Sequence, residues 1–585
     1  MALAATPSTT LRVVHSGEPK ATQQRREKRL AIALLAAAGA NWAFQIVWFW
    51  RFTSHNINYD AISYIGIARH LARGDFSGSL NGYWSPLISW LIAGLSGVSG
   101  DFTLLGRLAS IGAFLLCLPL LYRLTFSLWR SRALAAAAVL WFTLARGVVA
   151  FSVFFIGADF LLTAIVLAYF TVLLHCLRAP TAERWLKVGV WHGLAFLAKA
   201  IAFPWLMVPT LLACAISPRR NRRVMGLRAI AALAIPFMIW TCWGFALKTK
   251  YGVFTAGYQS KWNLLDERAR EAVDAGPKHL SVLRDTSQDF DRDMVADNLP
   301  PHSPLWQTKL EAAESVRMVL GRERENLPQA LKELVILITP GGVLTLVVAV
   351  CWGCTGVGTK RRPEARLLWI VLASAASLIG AYCMLVFDGR YLFPIIPLLI
   401  AVAVPFAVPG RAGYAEGGKF SRLRVVAFVL VASGTVLSLF YHASPFRSLR
   451  RDFQTSCYDA AQKPSRGQCK RLAVIGAGPY PEQGVGWEAG IYASYFAGCQ
   501  IIAFSPELPH AGQSDLVEDD LRAVDPDAVL IFGRAGTAEF HANISAASGA
   551  LPDVVSEAVS DPEAGRVGML LLKTNEPTAS VLARR

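Results

Sequence analysis

The sequence is short of charge. Only 17% of its 585 residues are Asp, Glu, Lys or Arg, against 54% apolar. With a mean hydropathy of +0.39, this excludes an ordinary soluble chain and points to several membrane-spanning segments. Acidic residues are scarcer than basic ones, 41 against 58, giving a formal charge of +17. The basic excess does not line one face, as a nucleic-acid surface would require. It stands in clusters beside apolar runs: Lys20/Arg25/Arg26/Lys28/Arg29, Arg219/Arg220/Arg222/Arg223/Arg228, Lys360/Arg361/Arg362/Arg366 and Lys419/Arg422/Arg424. Lys and Arg beside a span hold that loop on the cytoplasmic side. The clusters therefore read as topology signals, and nucleic acid is set aside as a partner.

Other absences narrow the field. No internal repeat is visible, which argues against a transporter or lipid flippase built from paired halves, the main rival class. Seven of the ten cysteines lie in or beside apolar runs and read as small core residues. Cys351 and Cys354 form a CxxC without a second pair, so a metal site is unsupported there. Cys457, Cys469 and Cys499 lie in the polar C-terminal part; a Cys457–Cys469 disulfide is open if that part is outside the cytoplasm. DFDRD (289–293) fails as a calcium loop, because Met294 replaces the required Gly and Pro300 the required Glu. It reads as a solvated charge run. GAGPYPEQG (476–484) has Pro481 in place of the third Gly of a dinucleotide fingerprint. His55 is a lone loop histidine and reads as solvated. Asn543-Ile-Ser545 is a sequon of the kind expected by chance.

Apolar runs are plentiful. LAIALLAAAGA (30–40) imitates a secretion signal, yet the run continues through WAFQIVWFW to Trp50. About 20 apolar residues cross a bilayer, so this is an uncleaved first span. Hydropathy predicts eleven spans near 30–50, 104–125, 133–149, 158–178, 186–199, 201–216, 229–247, 334–355, 367–386, 391–408 and 424–441. YWSPLISWLIAGLSGV (83–98) is short and reads as interfacial; were it to cross, every later loop would invert and the basic clusters there would fall outside. The predicted fold class is a polytopic α-helical membrane protein with a small C-terminal α/β domain. Residues 1–29 form a polar cytoplasmic tail. Residues 30–441 form the membrane domain, with outer loops at 51–103 and 248–333. Residues 442–585 form the extracytoplasmic α/β domain, with strand-like runs at 471–478, 499–505, 527–533 and 567–573.

The chemistry-bearing residues gather at the outer boundary. In NYDAISYIGIARHLARGD (58–75), Asp60 follows the first span, and Tyr64 is its i,i+4 neighbour if 60–73 is helical. Arg69 and Arg73 fall on the opposite side of that helix. Helix capping by Asn58 or Asp60 is the plain reading. Asp159 in FFIGADFLLTA (154–164) stands at the outer start of the fourth span, where capping is again the plain alternative. Lys199 in GVWHGLAFLAKAIAFPW (189–205) separates two short apolar runs and emerges on the same side, where it could also snorkel. Arg390, followed by Tyr391 in FDGRYLFPIIPLL (387–399), is outside too and could simply meet lipid headgroups. Charge held at an apolar boundary is costly, and four such residues converging on one face point to function.

The order of these segments resembles the GT-C glycosyltransferases, and within them the branch of the dolichyl-phosphate-mannose protein mannosyltransferases and bacterial aminoarabinose transferases. The resemblance spans roughly residues 30–440. It rests on Asp60 in the first outer loop, the aromatic Ser-Pro-Leu segment, the span ending in Lys199, the Arg390-Tyr391 start of a late span, and Asp159 at the second acidic position. Two departures stand out. The family often has adjacent acids in the first loop, whereas Asp60 lies between Tyr59 and Ala61; and YWSPL lacks the basic residue found there in aminoarabinose enzymes. The basic clusters put the N-terminus in the cytoplasm and the C-terminus outside, and the short loops and high Ala and Arg content point to a bacterial inner membrane. The resemblance implies an enzyme that inverts a sugar's anomeric centre in one displacement. The donor would be a polyprenyl-phosphate-linked sugar and the acceptor a hydroxyl on a lipid, glycan or protein. Asp60 would be the catalytic base. Asp159 and Tyr64 would serve an acceptor or second acidic site, and Lys199, Arg390 and Tyr391 the donor phosphate. No metal-binding residue is assigned, and dependence on a divalent ion stays open.

Overall fold

The computed structural model describes residues 20–50, 57–145, 147–216, 219–259, 284–285, 295, 312–355, 363–384, 387–407, 470–476, 491, 494–496, 498–505, 509, 511–533, 537–551, 554–561 and 566–573. The sites at His55, DFDRD, Cys457, Cys469 and 424–441 lie outside these residues.

Five described helices are long and apolar enough to cross a membrane. They are α1 (Lys20–Trp50), α5 (Phe102–Trp129), α8 (Asp159–Arg178), α11 (Arg219–Tyr251) and α13 (Pro363–Cys383). The stretch expected to span at 133–149 falls on a bent pair, α6 (Arg132–Leu144) and α7 (Val148–Phe154), whose axes turn by 58° at the break. Gly147 begins α7 at φ +72°, a left-handed conformation that glycine adopts without Cβ strain. Shorter helices α9 (Ala182–Ala198), α10 (Ala202–Ala215) and α14 (Ile396–Ala407) fill the bundle. Helix α12 (Ala312–Thr355) begins inside the stretch predicted as outer loop and runs on into the predicted span at 334–355.

Outside the long helices, α2 (Tyr59–Ala72), α3 (Phe76–Ser79) and α4 (Leu87–Gly94) make up the first loop. At about 1.5 Å per residue, the eight residues of α4 reach only about 12 Å, too short to span. Phe76, Trp90, Leu91 and Val98 are exposed around it, as suits the interface.

Glycine lets α9 and α11 touch backbone to backbone. Gly189 and Gly193 share one face of α9; a Cβ at Gly189 would collide with the Ala232 carbonyl oxygen, and one at Gly193 with the Ile239 side chain. Gly189→Val should therefore destabilise the protein by about 1–3 kcal/mol through overpacking. Thermal unfolding in detergent checks this against Gly39→Ala on α1, where nothing lies within 4 Å of the added Cβ; equal melting of the two variants would refute the close contact.

The tail carries a sheet of order β1-β3-β2-β4-β6-β5. Strands β2 (Arg471–Ile475), β3 (Gln500–Ser505), β4 (Ala528–Gly533) and β6 (Arg566–Lys573) fall where the sequence places them. Strand β5 (Val554–Asp561) was not foreseen; as the antiparallel edge partner of β6 it reads VVSEAVSD, with apolar and polar residues in pairs instead of strict alternation, which hides the strand period. Strand β1 (Arg284–Asp285) comes from the 248–333 segment and pairs antiparallel with β3. Alternation splits the strand residues between two cores. Ala473, Ile475, Val529 and Ile531 pack with α15 (Ser514–Val524) and α16 (Ala538–Ala550). Leu472, Val474, Ala528 and Leu530 are continuous with the membrane-domain core. Cys499 is disulfide-bonded.

Candidate functional site at the ends of the helices

Helix α2 begins at its N-cap Asn58, whose side chain makes no capping bond. Asp60 is the second helical residue, and it does not cap either. Its Oδ2 lies 2.7 Å from Arg390 Nη2. Arg390 rides on a single 3₁₀ turn, Gly389–Leu392, whose N-cap is Asp388. Asp388 Oδ1 accepts from the Arg390 backbone N–H at 3.0 Å. Its Oδ2 stands 2.9 Å from Arg390 Nε as an ion pair, without the alignment of a hydrogen bond. The guanidinium is thus held between two carboxylates, with the Phe155 ring 5.3 Å away.

The second pair lies beside the first. Asp159 sits in the first turn of α8, where Ala158 is the N-cap position and offers no side-chain acceptor. Asp159 Oδ1 is 2.5 Å from Lys199 Nζ. Lys199 ends α9 in an extended conformation, and the next amide, Ala200, donates to Ser85 Oγ at 3.2 Å. Tyr391 links the pairs. Lys199 Nζ stands 4.4 Å from its ring centroid and the Arg390 guanidinium 5.5 Å, both within cation–π range. Tyr382 stacks on Tyr391 at 4.3 Å. All four charged groups predicted from sequence therefore meet, together with Tyr391.

Tyr64 faces the same charges. Burial, and then Asp60, push its hydroxyl well above the usual phenol range, so it stays protonated and able to donate. For Arg390, burial works against the charge, but Asp60, Asp159 and Asp388 outweigh it and raise its pKa. Three carboxylates against two cations leave the cluster one charge negative. The Asp60, Asp159, Lys199 and Arg390 side chains are 9–17% exposed, which makes these pairs costly to break singly. Among the described residues no group of three or more His, Cys, Asp or Glu is placed to hold a metal ion.

The aromatic segment forms the adjoining wall. Asn81 Oδ1 accepts from the Tyr83 and Trp84 amides at 2.8 and 2.9 Å. Lys250 donates to the Leu80 carbonyl at 2.8 Å, and Tyr258 N donates to Gly82 O at 2.9 Å. A Cβ at Gly82 would stand 2.6 Å from the Tyr258 ring, so glycine is needed for this approach. The Trp84 ring meets Tyr64 edge-on at 5.2 Å. On the far side of α2, Arg69 reaches Tyr495 of the tail at 3.5 Å, and Tyr495 shares a 2.7 Å hydrogen bond with Thr103.

Asp388, Phe155 and Tyr382 were missed from sequence. Asp388 lies two residues before Arg390 in FDGRY, and that spacing is the one local signal. Phe155 and Tyr382 give none, since only tertiary closure brings them in. The Asn543 sequon is buried at 1% exposure, its amide donating to the Pro509 and Glu539 carbonyls.

No family model and no curated protein matches the sequence. Solved structures do. ArnT from Cupriavidus metallidurans bound to undecaprenyl phosphate aligns with a TM-score of 0.50 and 14% identity, over 92% of this chain and 97% of that one. The archaeal oligosaccharyltransferase AglB from Archaeoglobus fulgidus, in complex with an inhibitory peptide and a dolichol-phosphate, aligns with a TM-score of 0.51 and 12% identity, over 95% of this chain and 75% of that one. The chain has the GT-C glycosyltransferase fold. In this chain the two ion pairs stand at the first turns of α2 and α8, at the C-terminal end of α9 and at the 3₁₀ turn before α14.

Proposed function

We propose that the protein transfers a sugar from a polyprenyl-phosphate carrier to a hydroxyl acceptor, with inversion, at the outer face of a bacterial inner membrane. The observation that carries this reading is the convergence of Asp60, Asp159, Lys199 and Arg390 on one boundary site of a GT-C fold. Each residue has a task in such a reaction. The leaving group is an anionic lipid phosphate that never leaves the interface. Arg390 can meet it with a planar fork of donors and Lys199 with a compact charge. Once those cations turn to the phosphate, Asp60 is released to take the proton from the acceptor hydroxyl as the new bond forms. Asp159 orients Lys199, and Tyr64 donates to acceptor or sugar.

A cytoplasmic N-terminus and an outer tail complete the reading. The disulfide at Cys499 supports an oxidising compartment for the tail. The acceptor is a lipid, glycan or protein.

The test is transfer of labelled sugar from total polyprenyl-linked sugars in membranes that contain or lack the protein. A labelled product that depends on the protein is the expected result. Binding of undecaprenyl phosphate without any transfer would favour a transporter or flippase instead.

A further inference from the structure

The two carboxylates sit on different elements, yet one side chain ties those elements together. Asn58, two residues before Asp60, accepts from the Ile156 backbone N–H at 2.9 Å through Oδ1. Its Nδ2 donates to the Ile156 carbonyl at 3.3 Å. Ile156 lies three residues before Asp159, in the short connection between α7 and α8. One amide thus satisfies both backbone groups of one residue, as a neighbouring strand would.

The connection is gripped from its other side as well. Ile156 is fully buried and lies over Gly106 of α5, where a Cβ would stand 2.8 Å from its side chain. Gly157 N donates to Ser110 Oγ at 3.4 Å. Phe155, just before it, lies beside the Arg390 guanidinium. Residues 155–159 therefore touch Arg390, hold Asn58 and carry Asp159, within five positions.

We propose that Asn58 is a positioning residue that sets the spacing of Asp60 and Asp159, and with it the division of Arg390 and Lys199 between carboxylate and lipid phosphate. The inference rests on the proposed reaction. A carboxylate and a phosphate cannot both hold the same guanidinium edge. When the clamp is loosened, the carboxylates hold their cations less well. The phosphate then meets less competition, while the base is no longer placed for the acceptor hydroxyl. Affinity and turnover should move in opposite directions, whereas a change that only weakens the fold lowers both.

The experiment uses the full chain in lipid nanodiscs, as wild type, Asn58→Leu and Gly106→Ala. Leucine keeps the shape of asparagine and removes both bonds; the added methyl at position 106 presses on Ile156 from the opposite side. Undecaprenyl phosphate is the binding probe, and labelled-sugar transfer gives kcat. For Asn58→Leu the expected result is 3- to 10-fold tighter binding of undecaprenyl phosphate with kcat lowered about 10- to 100-fold, and Gly106→Ala should shift both the same way. Unchanged or weaker binding in both variants overturns the clamp, whatever happens to kcat. If Asn58→Leu fails to fold, Gly106→Ala decides alone. A wild type that binds the lipid but transfers nothing refutes the transferase reading and leaves the clamp to be judged by binding. A wild type that does neither refutes both.

Discussion

Asp60→Asn should lower the rate of sugar transfer by about 10²- to 10⁴-fold, the range that a positioned general base supplies. The substitution keeps the shape of the side chain and removes its charge. It also ends the 2.7 Å pairing with Arg390, while Asp388 still holds the guanidinium from the other side. Arg390 therefore keeps a counter-charge, and the fold should survive. Undecaprenyl phosphate should bind at least as well as to wild type, because one competitor for the guanidinium has lost its charge. The decisive comparison is initial transfer rate at equal expression, with lipid binding measured on the same samples. Transfer at the wild-type rate would remove Asp60 from the chemistry.

Arg390→Ala has the largest expected effect on both stability and function. It leaves Asp60 and Asp388 facing one another with no cation between them, in a site from which Asp60 has little access to water. Removing one partner of a buried pair typically costs about 3–5 kcal/mol, so the melting temperature should fall clearly. Lipid-phosphate binding and transfer should fall together. Two controls separate the causes. Arg390→Lys restores charge without the planar fork, and should recover stability better than turnover. Combining Arg390→Ala with Asp60→Asn should recover part of the lost stability, because one unpaired charge is gone. An Arg390→Ala variant with unchanged melting and unchanged lipid binding would show that the guanidinium neither holds the site together nor meets the donor.

Much of this was legible in the chain, for a definite reason. Charge at an apolar boundary is costly enough to stand out, which is how Asp60, Asp159, Lys199 and Arg390 could be singled out before any geometry was known. Five of the eleven predicted spans, those at α1, α5, α8, α11 and α13, were legible as helices of spanning length because the bilayer imposes length and hydropathy together. The break between α6 and α7 was passed over, because apolar residues continue on both sides of it; Arg146 and Gly147 were its marks. Capping was a reasonable alternative for both carboxylates, since each stands in the first turn of a helix. It failed because the ion pairs take up the side chains instead. Asn58 has no periodicity, and its function exists only once Ile156 has come to meet it. Polar residues whose partners are backbone atoms distant in sequence leave no local trace.

Strand β1 has a bearing on how the chain is threaded. Residues 284–285 and the strands from 471 onward belong to one hydrogen-bonded sheet, and a sheet cannot be assembled from opposite sides of a bilayer. Every assignment of crossings between residues 286 and 470 must therefore be even. Four, as hydropathy predicts for that interval, meets the condition, whereas three or five would strand Arg284 and Asp285 away from their partner. The Arg69–Tyr495 contact imposes the same rule on the longer interval between the first loop and the tail. Two residues of backbone pairing thus act as a checksum on the membrane topology.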